Sequence, residues 1–265
     1  MAVRMPYFVW SHVGRAAGDA AITMSPAAAT GFPKYHSIDG FGQSLTKHAS
    51  AAAATWICDR GAAGLEAVTR IFIPSGHNLA TGGSQNIVVA SDDNGSFTSP
   101  TTLATIATAA GLMEASLASS TERYLRVSIP GSGSAWEYGE IWIGRTRTPS
   151  AAVVVDPGWD VSPLQNVTVQ RFPSGIQGSV VNGGDQRTLK MTFRWVAGTD
   201  LTLFQDMAAA CGNAKAPLWV GAPDDAIPAM LMWLSTIASW TQDSTVPQST
   251  GPTYTVELEL IEALG

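Results

Sequence analysis

The sequence predicts a mainly β protein with two β domains, the second of which carries one α-helix. Short apolar runs alternate with clusters of Gly, Pro, Ser and Asp along the whole chain, a pattern typical of an all-β protein. The 265 residues exceed the length of one typical domain. The charge balance also changes midway, because residues 1–150 are neutral and residues 151–265 carry the whole net charge of −6.

The composition excludes several classes of protein. The chain is too apolar and aromatic to be disordered, and no apolar run reaches the ~18 residues of a membrane span. Neither half is basic, so we expect no nucleic-acid partner. The start of the chain lacks the pattern of an export signal. A charged fraction of only 14% suits either a protein covered by its neighbours in an assembly or an ordinary β-protein of low charge.

Residues 1–29 are weakly patterned, and we interpret them as an N-terminal arm or strand that joins the second domain. Clear strands follow within residues 30–147. They are predicted at 54–58, 67–73, 85–90, 123–129 and 140–144. The fourth of these alternates Leu125, Val127 and Ile129 with polar residues, as a half-buried strand does. This density of short strands predicts an N-terminal jelly-roll β-sandwich.

Residues 148–163 have the composition of a linker, because proline and glycine interrupt regular structure there. Residues 164–265 then predict a β-sandwich or split barrel. Its strands are expected at 167–172, 187–196, 218–220 and 253–261.

The one convincing helix lies between the second and third of these strands. Thr199 or Asp200 is a good N-cap, and Gly212 stands where a helix commonly ends. Four residues recur at the spacing of a single helical face: Leu201, Phe204, Ala208 and Cys211. We therefore expect the helix to pack this face against a sheet.

The sequence contains no constellation of catalytic or metal-binding residues. The four histidines lie at none of the spacings that bind zinc, and no nucleophile elbow or phosphate loop is present. Residues 92–95 (DDNG) predict a turn, because the glutamate that would close a calcium loop is missing. Cys58 and Cys211 are expected to be buried structural thiols. The sequence therefore predicts a protein that is not an enzyme and that uses no cofactor or metal.

A series of short motifs runs through residues 30–147. They are WICDRG at 56–61, TRIFIP at 69–74, HNL at 77–79, VVASDD at 88–93, RYLRV at 123–127 and GEIWIG at 139–144. In this order the motifs resemble the galactose-binding-like, or discoidin-type, jelly-roll superfamily. Many members of that superfamily bind sugars, and others fill structural roles.

The resemblance implies a carbohydrate site formed by loop aromatics and planar polar groups. Five residues are candidates for it: Tyr35, His77, Asn78, Trp136 and Tyr138. The alternative stays open that His77 and Asn78 only complete a turn and that Trp136 covers the rim of the sandwich.

The second half of the chain has a different order of elements. The motifs RFPSG at 171–175 and RTLKMTFRW at 187–195 precede the helix, and APLWV at 216–220 and a long terminal strand follow it. This order resembles the distal tail, tail tube and tail-tip proteins of bacteriophages. The resemblance covers about residues 160–265 and implies a ring-forming domain. In distal tail proteins the additional domain is inserted into the ring domain or follows it.

Together the resemblances imply a structural virion protein of a long-tailed phage. It would form a homohexameric ring in the distal tail or baseplate that joins the tail tube to the hub and tip, with the jelly roll pointing outward toward host glycan or neighbouring tail proteins. We expect it in the virion tail, after assembly in the host cytoplasm. Six strand residues are candidates for contacts between copies: Arg187, Lys190, Arg194, Thr255, Glu257 and Glu259.

A stand-alone carbohydrate-binding module or lectin is the alternative function. Such a protein binds glycan without forming a ring, whereas a tail protein forms rings or binds tube and hub proteins. The mass of the native protein across a concentration series separates the two.

Overall fold

The computed structural model divides the chain into two compact units. Ser11–Thr146 form one, here called the sandwich unit, and Met1–Trp10 with Arg147–Leu264 form the other, here called the sheet unit. The described residues are 6–39, 44–61, 65–81, 85–131, 134–151, 153–155, 160–164, 167–171, 177–181, 186–212, 217–221, 230–243 and 252–262. None of the helices among them has the length and apolar character needed to cross a membrane.

The elements are numbered in chain order, and the sheet unit contributes the first, β1 (Tyr7–Val9). The sandwich unit follows with α1 (Val13–Ala17), β2 (Ile22–Ser25), β3 (Thr46–Lys47), β4 (Ala54–Asp59), β5 (Val68–Ile73), β6 (Asn86–Asp92), β7 (Thr101–Ala107), β8 (Met113–Ser120), β9 (Tyr124–Ile129), β10 (Glu137–Tyr138) and β11 (Trp142–Gly144). Two 3-10 helices, Asp19–Ala21 and Lys34–Ser37, flank β2.

The sheet unit resumes after β11. Its further elements are β12 (Val154–Val155), β13 (Asp160–Leu164), β14 (Val167–Arg171), β15 (Gln177–Val181), β16 (Gln186–Val196), α2 (Gly198–Cys211), β17 (Pro217–Gly221), β18 (Met230–Asp243) and β19 (Thr253–Glu262).

The sandwich unit consists of two antiparallel sheets that share one apolar core. The larger sheet has the strand order β2-β4-β9-β6-β7 and the smaller has β11-β5-β8, while β3 and β10 form a separate antiparallel pair. From β4 to β9 the chain changes sheet at every connection except the β6–β7 hairpin. Side chains of both sheets belong to the same buried cluster. The structure therefore confirms the mainly β fold class and its N-terminal jelly-roll sandwich.

The core of the sandwich follows from alternation along the strands. Strand β4 buries Ala54, Trp56 and Cys58 and leaves the residues between them partly exposed, and β9 has the same pattern. Strands β7 and β8 were not expected from the sequence, because they consist largely of Thr, Ala and Ser with few apolar residues. They form because neighbouring strands supply their hydrogen bonds and the core accepts their scattered apolar side chains.

The predicted N-terminal arm divides between the two units. Strand β1 pairs with β17 in the sheet unit. Strand β2 pairs with β4 in the sandwich unit and buries Ile22 and Met24. The boundary lies between Trp10 and Ser11 rather than at residue 29, because the short alternating segment of β2 suffices to join the larger sheet.

The sheet unit is arranged around one antiparallel sheet of seven strands. Its order is β1-β17-β18-β19-β16-β12, with β13 also paired to β16, and β14 and β15 form a separate hairpin. The segment 148–163, predicted to be a linker, therefore contributes β12 and most of β13 to this sheet. The apolar stretch from Met230 forms the long strand β18.

Helix α2 covers one face of the sheet. Phe204, Met207 and Cys211 of the helix are buried in one cluster with the inward residues of β16 and β19. The helix begins earlier than predicted, because Ala197 and not Thr199 or Asp200 is its N-cap. The carboxylate of Asp200 instead accepts hydrogen bonds from the amide (2.8 Å) and hydroxyl (2.6 Å) of Ser150.

We expect Phe193→Ala to destabilise the sheet unit by about 3–5 kcal/mol, because Phe193 is fully buried. Its ring centroid lies 6.1 Å from that of Phe8 and 4.8 Å from that of Phe204. Urea denaturation measures this loss. The control is Thr192→Val, on the opposite face of the same strand, which should change stability by less than about 0.5 kcal/mol. Equal losses in the two variants would contradict this assignment of the faces.

Candidate functional site

Two of the five predicted sugar-binding residues lie in the core. Trp136 and Tyr138 are both fully buried, so their rings cannot stack on a sugar. They are two residues apart on an extended segment, which places both side chains on the inward face. The indole of Trp136 donates to the carbonyl of Pro130 (2.7 Å). The assignment of these two residues to a carbohydrate site is therefore corrected: they support the sandwich from within.

The hydroxyl of Tyr138 belongs to a buried polar chain. His48 Nε2 lies 3.0 Å from that hydroxyl, and His48 Nδ1 lies 2.8 Å from the carbonyl of Pro26. Both contacts are satisfied when Nδ1 carries the proton and donates to Pro26 while Nε2 accepts from Tyr138. Burial lowers the pKa of His48 and raises the pKa of Tyr138, so both side chains are neutral around pH 7.

His77 and Asn78 hold loops together. His77 Nε2 lies 2.8 Å from the carbonyl of Gly111, and burial lowers the pKa of this histidine. The Asn78 amide nitrogen donates to the carbonyl of Ala135, and its oxygen accepts from the amide of Glu137, both at 2.8 Å. These bonds occupy the groups that a sugar would need, and Asn78 fixes the start of β10.

Tyr35 is the predicted residue whose ring reaches solvent. It is 48% exposed, on the 3-10 helix Lys34–Ser37. Two polar contacts join this helix region to the start of β3. The hydroxyl of Thr46 donates to the carbonyl of Pro33 (3.1 Å), and His36 Nδ1 lies 2.9 Å from the carbonyl of Leu45. The rings of Tyr35 and His36 meet edge to face, with centroids 4.5 Å apart.

Charged side chains lie on the paired strands β3 and β10, next to this helix. The ammonium of Lys47 pairs with Glu137 and stands 5.5 Å over the centroid of Phe32. Both members of the ion pair are about one-third exposed. We call Phe32, Tyr35, His36, Lys47 and Glu137 the Tyr35 site. The open aromatic ring lies on the 3-10 helix, and the donor and the acceptor, each about one-third exposed, lie on the strand pair that this helix contacts.

A cluster of arginine and aromatic residues was not predicted from the sequence. Arg123 donates through Nε and Nη2 to the two carboxylate oxygens of Asp59, both at 2.7 Å, and its guanidinium lies 4.9 Å over the ring of Tyr124. Arg126 lies 4.4 Å over the ring of Phe97. The register of β4 with β9 pairs Asp59 with Tyr124. The signal was present in the motifs at 56–61 and 123–127, but only the register shows that they meet.

The ion pair defines the electrostatics of this cluster. The pKa of Asp59 is lowered to about 2, chiefly because Arg123 donates hydrogen bonds to the carboxylate. The same pairing raises the pKa of Arg123. Each charge is neutralised by the other, so we assign the cluster a role in joining β4 to β9.

A buried pair of polar side chains lies near the start of the sandwich unit. His12 Nε2 is 3.1 Å from a carboxylate oxygen of Glu140, and both side chains are almost completely buried. His12 Nδ1 accepts from the amide of Gly14 (3.2 Å) and so caps α1, and its ring stacks on Trp142 with centroids 4.7 Å apart. Because the pair is enclosed, it contributes to structure rather than to an accessible site.

The predicted contact residues of the sheet unit divide between its two faces. Lys190, Glu257 and Glu259 lie on the face opposite α2, since the residues between them are buried under the helix. Arg194 and Thr255 belong to the same side. Arg187 lies on the helix side, where its Nε donates to the carboxylate of Glu262 (2.8 Å).

Reactive groups are sparse in the part of the chain that the structure describes. No group of three His, Cys, Asp or Glu side chains there could hold a metal ion. Cys58 and Cys211 are buried thiols that form no disulfide, as predicted. Burial raises the pKa of the Cys58 thiol to about 12, so it is not a nucleophile near neutral pH.

Comparison with known proteins finds similar solved structures for part of the chain. No family model matches the chain, and no curated protein matches it. Among solved structures, chitosan-binding module 1 of a chitosanase/glucanase from Paenibacillus sp. IK-5 is 17% identical, with a TM-score of 0.42, covering 51% of this chain and 99% of that module.

Two other solved structures have similar values. A Streptococcus pneumoniae fucose binding module is 16% identical, with a TM-score of 0.40, and the lectin domain of lectinolysin, complexed with Lewis b antigen, is 18% identical, with a TM-score of 0.39. Each match covers 51% of this chain and 96% of the other. These are likenesses of fold over half of the chain.

The Asp59–Arg123 pair makes the stability of the sandwich unit dependent on pH. Because the folded-state pKa of Asp59, about 2, lies below its ordinary value of 3.8, the stabilisation is present above pH 3.8 and is lost as the pH falls toward 2. We expect the difference in free energy of unfolding between wild type and Asp59→Asn to shrink over this range. Urea denaturation at successive pH values measures it. Arg123→Gln should remove the same component; a difference independent of pH would contradict the assignment.

Proposed function

We propose that the sandwich unit binds carbohydrate at the Tyr35 site. The observation that carries the proposal is the 48% exposure of the Tyr35 ring, in a unit whose other predicted sugar-stacking aromatics are buried. A pyranose presents a face of C–H bonds that packs on an exposed ring, and its hydroxyls need hydrogen-bond partners beside that ring. Tyr35 supplies the ring.

Lys47 and Glu137 supply the polar half of the site. Lys47 has three N–H donors and the Glu137 carboxylate has two acceptor oxygens, so beyond their own ion pair each can still hydrogen-bond one hydroxyl of a sugar. Phe32 lies under Lys47 and limits its conformations. The opposite charges leave the site without net charge, which favours a neutral sugar over an acidic one.

The test is glycan binding by the purified full chain, measured by calorimetry with chitotriose, fucose and Lewis b tetrasaccharide as probes. We expect millimolar to micromolar affinity for at least one of them and a loss of about tenfold or more in Tyr35→Ala. Tyr35→Phe should keep the affinity within a few-fold, because the ring remains.

The matched control is Trp195→Ala, which removes an equally exposed aromatic from the sheet unit. It should bind the glycan as the wild type does. If none of the probes binds, or if Tyr35→Ala binds as tightly as the wild type, the Tyr35 site is not a carbohydrate site.

A second candidate function is the structural role in a phage tail. The observation that favours it is the discontinuity of the sheet unit: the sandwich unit is inserted between β1 and the rest of that unit. An inserted additional domain is one of the two arrangements expected of distal tail proteins, and helix α2 covers one face of the antiparallel sheet. On this proposal the partners are tail tube and hub proteins, and the location is the virion tail.

The ring predicted by the tail proposal can be tested directly. On the tail proposal, native mass spectrometry and negative-stain microscopy of the full chain, across a concentration series, would detect a sixfold closed ring with outward lobes. Mixing with tube and hub proteins should promote the same ring. A chain that forms no ring either alone or with those proteins contradicts the tail proposal and leaves carbohydrate binding unaffected.

A further inference from the structure

The second exposed aromatic lies in the sheet unit and has an unusual backbone. Trp195 is 48% exposed and has φ = 63°, in the left-handed region that large side chains rarely adopt. Among the described residues, only Phe97 is another non-glycine residue with positive φ, and its ring is buried. A tryptophan in this conformation strains the backbone without packing into the core of its own chain.

A β-bulge accounts for the position of Trp195. Phe193 pairs with Val256 and Val196 with Tyr254, so β16 has one more residue than β19 between these pairs. Phe193 and Val196 are both buried, and Arg194 and Trp195 between them are both exposed. The bulge thus brings two successive side chains out of the core at the end of the sheet face that α2 leaves uncovered.

The uncovered face carries charges of opposite sign on neighbouring strands. We call Lys190, Thr192, Arg194, Trp195, Thr255, Glu257 and Glu259 the open face. Its β16 side contributes the cations Lys190 and Arg194, and its β19 side contributes the anions Glu257 and Glu259. Lys190 lies 3.5 Å from Glu259, and its side chain is 63% exposed.

We infer that the open face binds a second copy of this chain. In the proposed arrangement a two-fold axis lies above the open face, parallel to the strands and midway between β16 and β19. This axis places the β16 of each copy over the β19 of the other copy. Lys190 then meets the partner's Glu259, because these residues are in register within one chain. Each face is therefore complementary to itself, which a face with charge of one sign is not.

Trp195 supplies the apolar part of the contact. In the two-fold arrangement it lies over the position of Thr255 in the other copy, since the bulge is opposite that residue. A large aromatic side chain that becomes buried only on association is the usual centre of a protein interface. The inference concerns the sheet unit and does not depend on carbohydrate binding at the Tyr35 site.

The experiment is sedimentation equilibrium of the full chain over a concentration series, with thermal unfolding measured on each variant. We expect a monomer–dimer equilibrium for the wild type. Trp195→Ala should raise the dissociation constant at least about tenfold without lowering the melting temperature of the monomer. Tyr35→Ala, which removes the equally exposed aromatic of the other unit, should dimerise as the wild type does.

A charge exchange tests the orientation of the two copies. Lys190→Glu should weaken the dimer, because it sets like charges over each other, and Lys190→Glu combined with Glu259→Lys should restore it. A wild type that is monomeric at all concentrations overturns the inference. So does an association that persists in Trp195→Ala, including a larger ring, or a lower melting temperature of the Trp195→Ala monomer, which would show that the indole packs within its own chain.

Discussion

The alternation of side chains between the two faces of a strand is the constraint on which both units depend. In β16, Leu189, Met191 and Phe193 are buried while Lys190 and Thr192 are outside. A slip of one residue against β19 would exchange the two sets, so burial of the apolar set fixes the register. The same register then determines which charges meet on the opposite face.

Burial of polar aromatics has a related effect in the sandwich unit. Trp136 and Tyr138 are enclosed, and each has a hydrogen-bond partner, because an unpartnered polar group in the core would destabilise the fold. Asn78 and His77 use their polar atoms on neighbouring loops for the same reason. Of the five residues predicted to bind sugar, Tyr35 is the aromatic one that stays exposed.

Tyr35 and Trp195, the large aromatics that are exposed among the described residues, lie in different units, and the two proposals assign them different partners. Tyr35 is proposed to contact sugar, and Trp195 to contact a second copy of the chain. Self-association would present two Tyr35 sites in one particle. Two weak sugar sites held together bind a multivalent surface more tightly than either site binds alone, without any new contact. On the two proposals together, self-association would strengthen carbohydrate binding, and each proposal has its own test.

By itself the sequence determined the class of the fold and the inward face of its best-patterned strands. Alternation is a local property, so β4, β9, β16 and β19 could be predicted from their own residues, and the apolar spacing of α2 identified that helix. Strands β7 and β8 carry few apolar residues, and their existence depends on neighbours that are distant in sequence. The sequence did not predict the helix N-cap, Ala197, because the capping candidate Asp200 accepts hydrogen bonds from Ser150 instead.

The candidate sites depended most on tertiary structure. A tryptophan or tyrosine in a loop looks the same in sequence whether it covers the rim or fills the core, and only packing separated Tyr35 from Trp136 and Tyr138. The meeting of Asp59 with Arg123 and the emergence of Trp195 at a bulge are consequences of register between strands. Local sequence therefore determined which residues alternate and where the long helix lies, whereas long-range pairing decided which side chains reach solvent, because exposure depends on what the rest of the chain places over them.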